Sequence, residues 1–218
     1  MTGRITSYRV VLPQPWVRIP VQGDTAGRVR QLVDEAAKRL PKDAPPDQVG
    51  PWKREIERKM VTDIRKAAEY GGVDFYVPVE TWHGFLVAAS FVVSEIRPPG
   101  QTPDDAEAGV GGVLAQLVVG SHGAKPISID DTVWVRTEQT VAPDLEREPD
   151  IDTPTRRVSY VTAMPDDPSR WVLSAFSCAG DGDPDSEVTR VTVELFDAIM
   201  GTWRWIREDD AWASRTEA

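Results

Sequence analysis

Arg156 to Cys178 reads RRVSYVTAMPDDPSRWVLSAFSC, two apolar-rich runs separated by Pro165-Asp166-Asp167-Pro168-Ser169. β-Branched and aromatic residues fill both runs, and proline, aspartate and serine fill the gap, which is the composition of a tight turn. Two strands joined that closely must pair antiparallel, because a parallel pair needs a crossover of a dozen residues or more. PISIDDTVWV (126–135) repeats the arrangement upstream, turning at Asp130-Asp131 without the usual glycine. These hairpins set the fold class as α+β, with a largely antiparallel sheet.

Upstream, YRVVLPQPWVRIPV (8–21) reads as one strand interrupted by Pro13, Pro15 and Pro20, which places it at an edge. Asp24 or Thr25 then offers a helix cap. Val29, Leu32, Val33, Ala36 and Leu40 follow at helical spacing. A second helix carries Val49, Trp52, Ile56, Met60, Ile64 and Ala67 on one side and stops at Gly71-Gly72, a pair suited to a left-handed cap. VDFYVPV (73–79) changes to a period of two, with Val73, Phe75, Val77 and Val79 set against Asp74, Tyr76 and Pro78. GFLVAASFVVSEI (84–96) is apolar on both phases and calls for cover on both faces. A helix over residues 104–119 and a last one carrying Val188, Val191, Leu195 and Ile199, with Phe196 and Met200 half a step round, supply it. The expected order is strand, two helices, two strands, helix, four strands, helix. Residues 1–206 form one domain with helices on both faces of the sheet and a helical insertion at about 25–72, and residues 207–218 are a flexible tail.

Composition narrows the function. Residues 1–100 carry a net charge of +3 and residues 101–218 of −13, so there is no basic stripe of the kind that phosphate contacts require, and nucleic acid is not an expected partner. No run reaches the roughly 18 apolar residues that cross a bilayer. MTGRITSYRVVLPQPW lacks the regions of a signal peptide, and Cys178 is the only cysteine. The expected address is the cytoplasm, with no integral membrane segment.

GDGDPDSE (180–187) looks most like chemistry, with aspartates at 181, 183 and 185. A calcium loop started at Asp181 needs glycine at its sixth position and glutamate at its twelfth; Ser186 and Thr192 stand there. The stretch reads instead as a helix start, with Asp183 as cap and Pro184 in the first turn. Two histidines far apart, His83 and His122, make no zinc site with one cysteine. Ser121 beside His122 is no catalytic pair. Gly109 to Gly112 lack the Lys-Ser/Thr of a phosphate loop. No catalytic residue, metal site or cofactor is expected. Trp52 and Trp171 fit apolar phases and belong to the core. Trp134 shares its phase with Arg136 and Glu138, so it either packs under a helix or anchors a partner; Trp134, Arg136 and Trp82 are the candidate partner-binding residues.

Taken together, VLPQPW, FVVSEI before GVLAQL, ISIDDTVWVRTEQTV, the 156–178 hairpin and a closing helix running into LFDAIMGTWRW resemble the PsbP-like superfamily, in its bacterial DcrB/LpqN-type branch. The resemblance covers residues 8–22 and 73–206. It departs in the helices at 25–70, in Asp131 at a usual turn glycine and in the missing lipoprotein signal. It implies an α/β/α sandwich without shared catalytic residues, in proteins that serve as adaptors, scaffolds or chaperones cradling apolar helices. The expected function is a non-enzymatic protein-interaction module for a secreted or membrane-linked partner, the alternative being a small apolar ligand held between sheet and helices.

Overall fold

The 156–178 hairpin forms the middle of the sheet. The structure, a computed structural model, describes residues 3–38, 46–79, 88–97, 114, 123–143 and 153–209. Its elements are β1 (Ile5–Arg9), β2 (Trp16–Pro20), α1 (Thr25–Ala37), α2 (Pro46–Glu69), β3 (Gly72–Pro78), β4 (Ala88–Ile96), β5 (Lys125–Ile129), β6 (Thr132–Val141), β7 (Thr155–Met164), β8 (Asp167–Gly180), α3 (Glu187–Gly201) and β9 (Arg204–Arg207). Seven strands lie in the order β2-β3-β4-β8-β7-β6-β5, every neighbouring pair antiparallel. The fold is α+β, built on an antiparallel sheet. None of the described helices is long and apolar enough to cross a membrane.

The opening strand differs from expectation. It is two strands, and β1 joins β9 in a separate antiparallel ribbon, Tyr8 opposite Trp205 and Arg9 opposite Arg204. Prolines 13 and 15 stand in the link, where fixed φ angles and missing N–H groups bar a continuous ladder. The expected closing helix also ends earlier, at Gly201, and β9 follows. Just past β9, Glu208 N–H donates to Arg4 O at 3.0 Å.

Strand alternation sorts the core. Trp16, Tyr76, Phe91, Trp134, Tyr160 and Phe176 meet α3 and the ribbon through Phe196, Met200, Trp203 and Trp205. Phe196 is the centre, stacked on Phe176 at 4.7 Å and tilted on Phe91 at 5.3 Å. Its full burial stabilises by about 1.5–3 kcal/mol. α3 presents Thr189, Thr192, Val193, Phe196, Ile199 and Met200 inward, not the Val188–Val191–Leu195 line of the sequence reading. The two threonines bury their hydroxyls against local carbonyls, Thr192 on Val188 and Thr189 on Asp183, so their polarity does not forbid the core.

A second cluster gathers Ile19, Val21 and Phe75 with Val29, Leu32 and Val33 of α1 and Ile64 of α2. These two helices form the connection between β2 and β3, which are neighbours in the sheet. Asp24 caps α1, accepting from Gly27 N–H at 2.9 Å. Gly71, at φ +78°, turns the chain after α2, where a Cβ would stand 2.3 Å from Glu95 O. The helix expected at 104–119 lies outside the described residues apart from Leu114, which joins Val135, Ala163 and Trp171 in a third cluster.

Candidate functional site

The residues singled out from the sequence separate. Trp134 is 0% exposed and Arg136 8%. Their strand face is the one under α3, so they hold the core together and present no surface to a partner. The opposite phase carries Val133, 53% exposed, and Val135, buried. Trp134 packs edge-on against Trp203 at 5.1 Å. Arg136 donates from Nε and Nη2 to both carboxylate oxygens of Asp197, each at 2.9 Å, and from Nη1 to Glu138 at 2.8 Å. Tyr160 O–H also donates to Asp197, at 2.8 Å. This fork rivets α3 to β6 and β7. Burial works against the Arg136 charge, but the bonds to Asp197 and Glu138 outweigh it and raise its pKa. Burial likewise opposes the Glu138 charge, yet Arg136 and Arg156 bring its pKa below the ordinary value. Trp82, His83, Ser121, His122 and Gly109 to Gly112 lie outside the described residues.

The aspartate-rich loop is a helix entry, but its cap is Ser186 rather than Asp183. Ser186 Oγ accepts from Thr189 N–H at 3.1 Å, and α3 starts at Glu187. Asp181 and Asp183 accept from the N–H groups of residues 183 and 185, and Asp185 pairs with Arg156 at 3.0 Å. Three carboxylates turned to three separate partners do not converge on one point. Cys178 is buried in the first cluster, and burial raises its thiol pKa, so it packs as a small apolar group.

Two features escaped the sequence reading. The first is Asp74, set by alternation on the polar side of its strand yet 1% exposed. The β1–β9 ribbon lies over that side. Tyr8 O–H donates to Asp74 at 2.5 Å, Arg18 Nε donates to it at 2.7 Å, and the Tyr8 and Tyr76 hydroxyls meet at 2.9 Å. Tyr8 stacks on Trp203 at 4.2 Å, and Tyr76 on Phe91 at 4.2 Å. Burial, with the neighbouring Tyr76 and Asp74, raises the Tyr8 pKa, and burial pushes Tyr76 up to about 12. The available signal was Tyr76 itself: an aspartate sharing its strand phase with a large aromatic residue is a candidate for burial.

The second is an apolar groove of about 250 Å³ between the two early helices and the sheet. Among the described residues Leu32, Val33 and Ala36 come from α1, Trp52, Ile56 and Met60 from α2, and Val77, Val79 and Ala88 from β3, β4 and their ends. The α2 stripe is fully buried only at Ile64; toward its start it opens, and Trp52 is 38% exposed. Trp52 is thus a groove residue rather than the core residue its phase indicated. The Lys53–Asp34 pair ties α2 to α1 beside it.

No family model matches the sequence, and no curated protein matches it. Among solved structures the chain is similar to a crystal structure from Bacteroides thetaiotaomicron VPI-5482, at 11% identity and a TM-score of 0.38. That similarity covers 64% of this chain, and the chain spans 40% of the other's length.

Proposed function

We propose that the protein is a non-enzymatic interaction module of the PsbP-like kind, and that the α1–α2 groove takes apolar side chains from a segment of a partner protein. The observation that carries this reading is Trp52, a large aromatic residue left 38% exposed at the lip of an apolar groove. Tryptophan is the residue type most enriched where binding energy concentrates, and it buries well against a partner's apolar anchor. The groove volume, about 250 Å³, falls below the ~300–1,000 Å³ that encloses a small molecule. It suits one or two bulky side chains entering from an amphipathic helix. The layered sandwich, with helices closing both faces, is part of the same proposal. It draws support from α3 on the first cluster, α1 and α2 on the second and Leu114 on the third. The ion pairs that Arg136 makes with Asp197 and Glu138, and Arg156 with Glu138 and Asp185, support structural roles for these charged residues. We place the protein in the cytoplasm, which cell fractionation tests.

Capture from native lysate with the full chain, alongside Trp52→Glu, Met60→Glu and the distant surface control Val133→Glu, tests the groove. A partner kept by the wild type and Val133→Glu and lost from both groove variants is the expected result, with slowed amide exchange in α1 and α2 of the complex. Equal capture by all four chains refutes the reading. Saturable binding of a fluorescent fatty-acid analogue that Trp52→Glu abolishes, without protein capture, replaces it with the small-ligand alternative.

A further inference from the structure

A second cavity, of about 100 Å³, lies where the β1–β9 ribbon meets β3, β4 and β8. Its charged lining is two ion pairs. Arg18 Nε donates to Asp74 at 2.7 Å, and Arg170 donates from Nε and Nη2 to the two oxygens of Glu95 at 2.8 and 2.7 Å. Asp74 lies opposite Val93, and Glu95 is two residues further along β4 on the same strand phase, across a break in the β3–β4 register between Gly72 and Asp74. The four charges sum to zero. Neither arginine is exhausted: both Nη groups of Arg18 and Nη1 of Arg170 make no hydrogen bond to a described residue. Each oxygen of the partly exposed Glu95 carboxylate keeps a second lone pair. Val93, Val172 and Met164 complete the lining with apolar surface.

A lone anion or cation entering this space would leave an unbalanced charge in a partly buried site, which is costly. A molecule that brings both charges keeps the balance. We infer that the cavity binds a small zwitterion, of the class of a free α-amino acid with a short aliphatic side chain. The ligand carboxylate takes the guanidinium N–H groups of Arg18 and Arg170 that no described residue accepts. The ammonium donates to the remaining lone pairs of Glu95, whose side chain is 35% exposed, and the aliphatic carbon rests on Val172 and Met164. A cavity of about 100 Å³ equals the bulk volume of about three water molecules, which admits glycine or alanine and excludes an aromatic side chain.

Titration of the isotope-labelled full chain with glycine and with alanine, followed by amide chemical shifts, tests this site apart from the groove. Saturable millimolar shifts confined to the amides of Tyr8, Asp74, Glu95 and Arg170 are expected, with no such shifts from acetate, methylammonium or phenylalanine. Arg18→Gln, at a half-exposed position, weakens glycine by about tenfold, the loss of one charge-assisted contact. On the wild type, trimethylated glycine, which has no ammonium N–H, also binds at least tenfold more weakly. Absence of saturable shifts with either amino acid overturns the inference. So does acetate or methylammonium binding as well as glycine, which would make this a site for a simple ion.

Discussion

Trp134 and Trp52 offer the sharpest test, because strand and helix phase assign them one way and the three-dimensional arrangement the other. Replace each with glutamine. A tryptophan buries about 150–250 Å², which at about 25 cal/mol per Å² corresponds to about 4–6 kcal/mol. Trp134 is 0% exposed and enclosed by Trp203 and Trp205, so truncation incurs a cavity cost as well as lost transfer. Its indole N–H already lacks an acceptor, and the glutamine amide would inherit that deficit. The expected loss is about 5 kcal/mol. Trp52, 38% exposed, gives up roughly three-fifths of that area. Extended-chain areas overstate burial by about 10–40%, so its loss is about 1.5–3 kcal/mol. Urea unfolding followed by far-ultraviolet circular dichroism reads both, since removing tryptophans leaves that signal intact. With a slope of about 2–3 kcal/mol per M, the midpoint falls by about 2 M for Trp134→Gln and by about 1 M for Trp52→Gln. Equal losses, or the reverse order, would refute the assignment of core and groove.

Arg170, by hydrogen bonding, holds the Glu95 pKa below its ordinary 4.5, and Arg136 and Arg156 outweigh burial to do the same for Glu138. Carboxylates with depressed folded pKa values contribute stability that is present above the unfolded value and lost as pH falls through the folded one. The urea midpoint should therefore drop below about pH 4.5, and Glu95→Gln should flatten that drop; an unchanged slope in the variant contradicts it. Ser186→Ala should cost about 1 kcal/mol as a lost cap, against less than about 0.5 kcal/mol for Asp183→Ala, and the reverse ranking would restore Asp183 as cap. Millimolar calcium should leave the melting temperature unmoved, because Asp181, Asp183 and Asp185 face different partners; a saturable rise would show otherwise. Asp130→Gly relieves a residue at φ +50° but removes the acceptor of Trp205 N–H at 2.8 Å. A net loss of about 1 kcal/mol is expected, with faster exchange of the Trp205 amide, and a more stable variant would refute the role of that carboxylate.

The hairpin at Pro165-Asp166 was legible because its information is local: two β-rich runs and a turn permit one pairing. α1 was legible for the same reason, with cap and stripe both within its own residues. The phase of α3 was not, because Thr189 and Thr192 answer their hydroxyls with their own helix and loop, which a polarity pattern cannot register. Trp52 and Trp134 exchanged places because phase says which side a residue takes and not what lies on that side. The partner of β6's polar phase is Asp197 of α3, 61 residues on from Arg136.

The ribbon shows why the Asp74 region was invisible. β1 pairs with β9, elements about 200 residues apart in sequence, and carboxylates from three places hold the pair to the sheet. Asp166 accepts from Ile5 N–H at 2.6 Å, Asp130 from Trp205 N–H at 2.8 Å and Asp74 from Tyr8 O–H at 2.5 Å. In the sequence two of these acids read as ordinary turn residues and the third as a solvated strand position. Asp130 and Asp131 adopt positive φ where glycine is usual, and the contact of Asp130 with Trp205 gives a physical reason for its side chain. An acid in a tight turn costs the backbone little and places a charged acceptor on a rigid corner. Two such corners, together with Asp74 inside β3, hold the β1–β9 ribbon over one side of the sheet, and beneath it lie the paired charges and guanidinium donors of the small cavity.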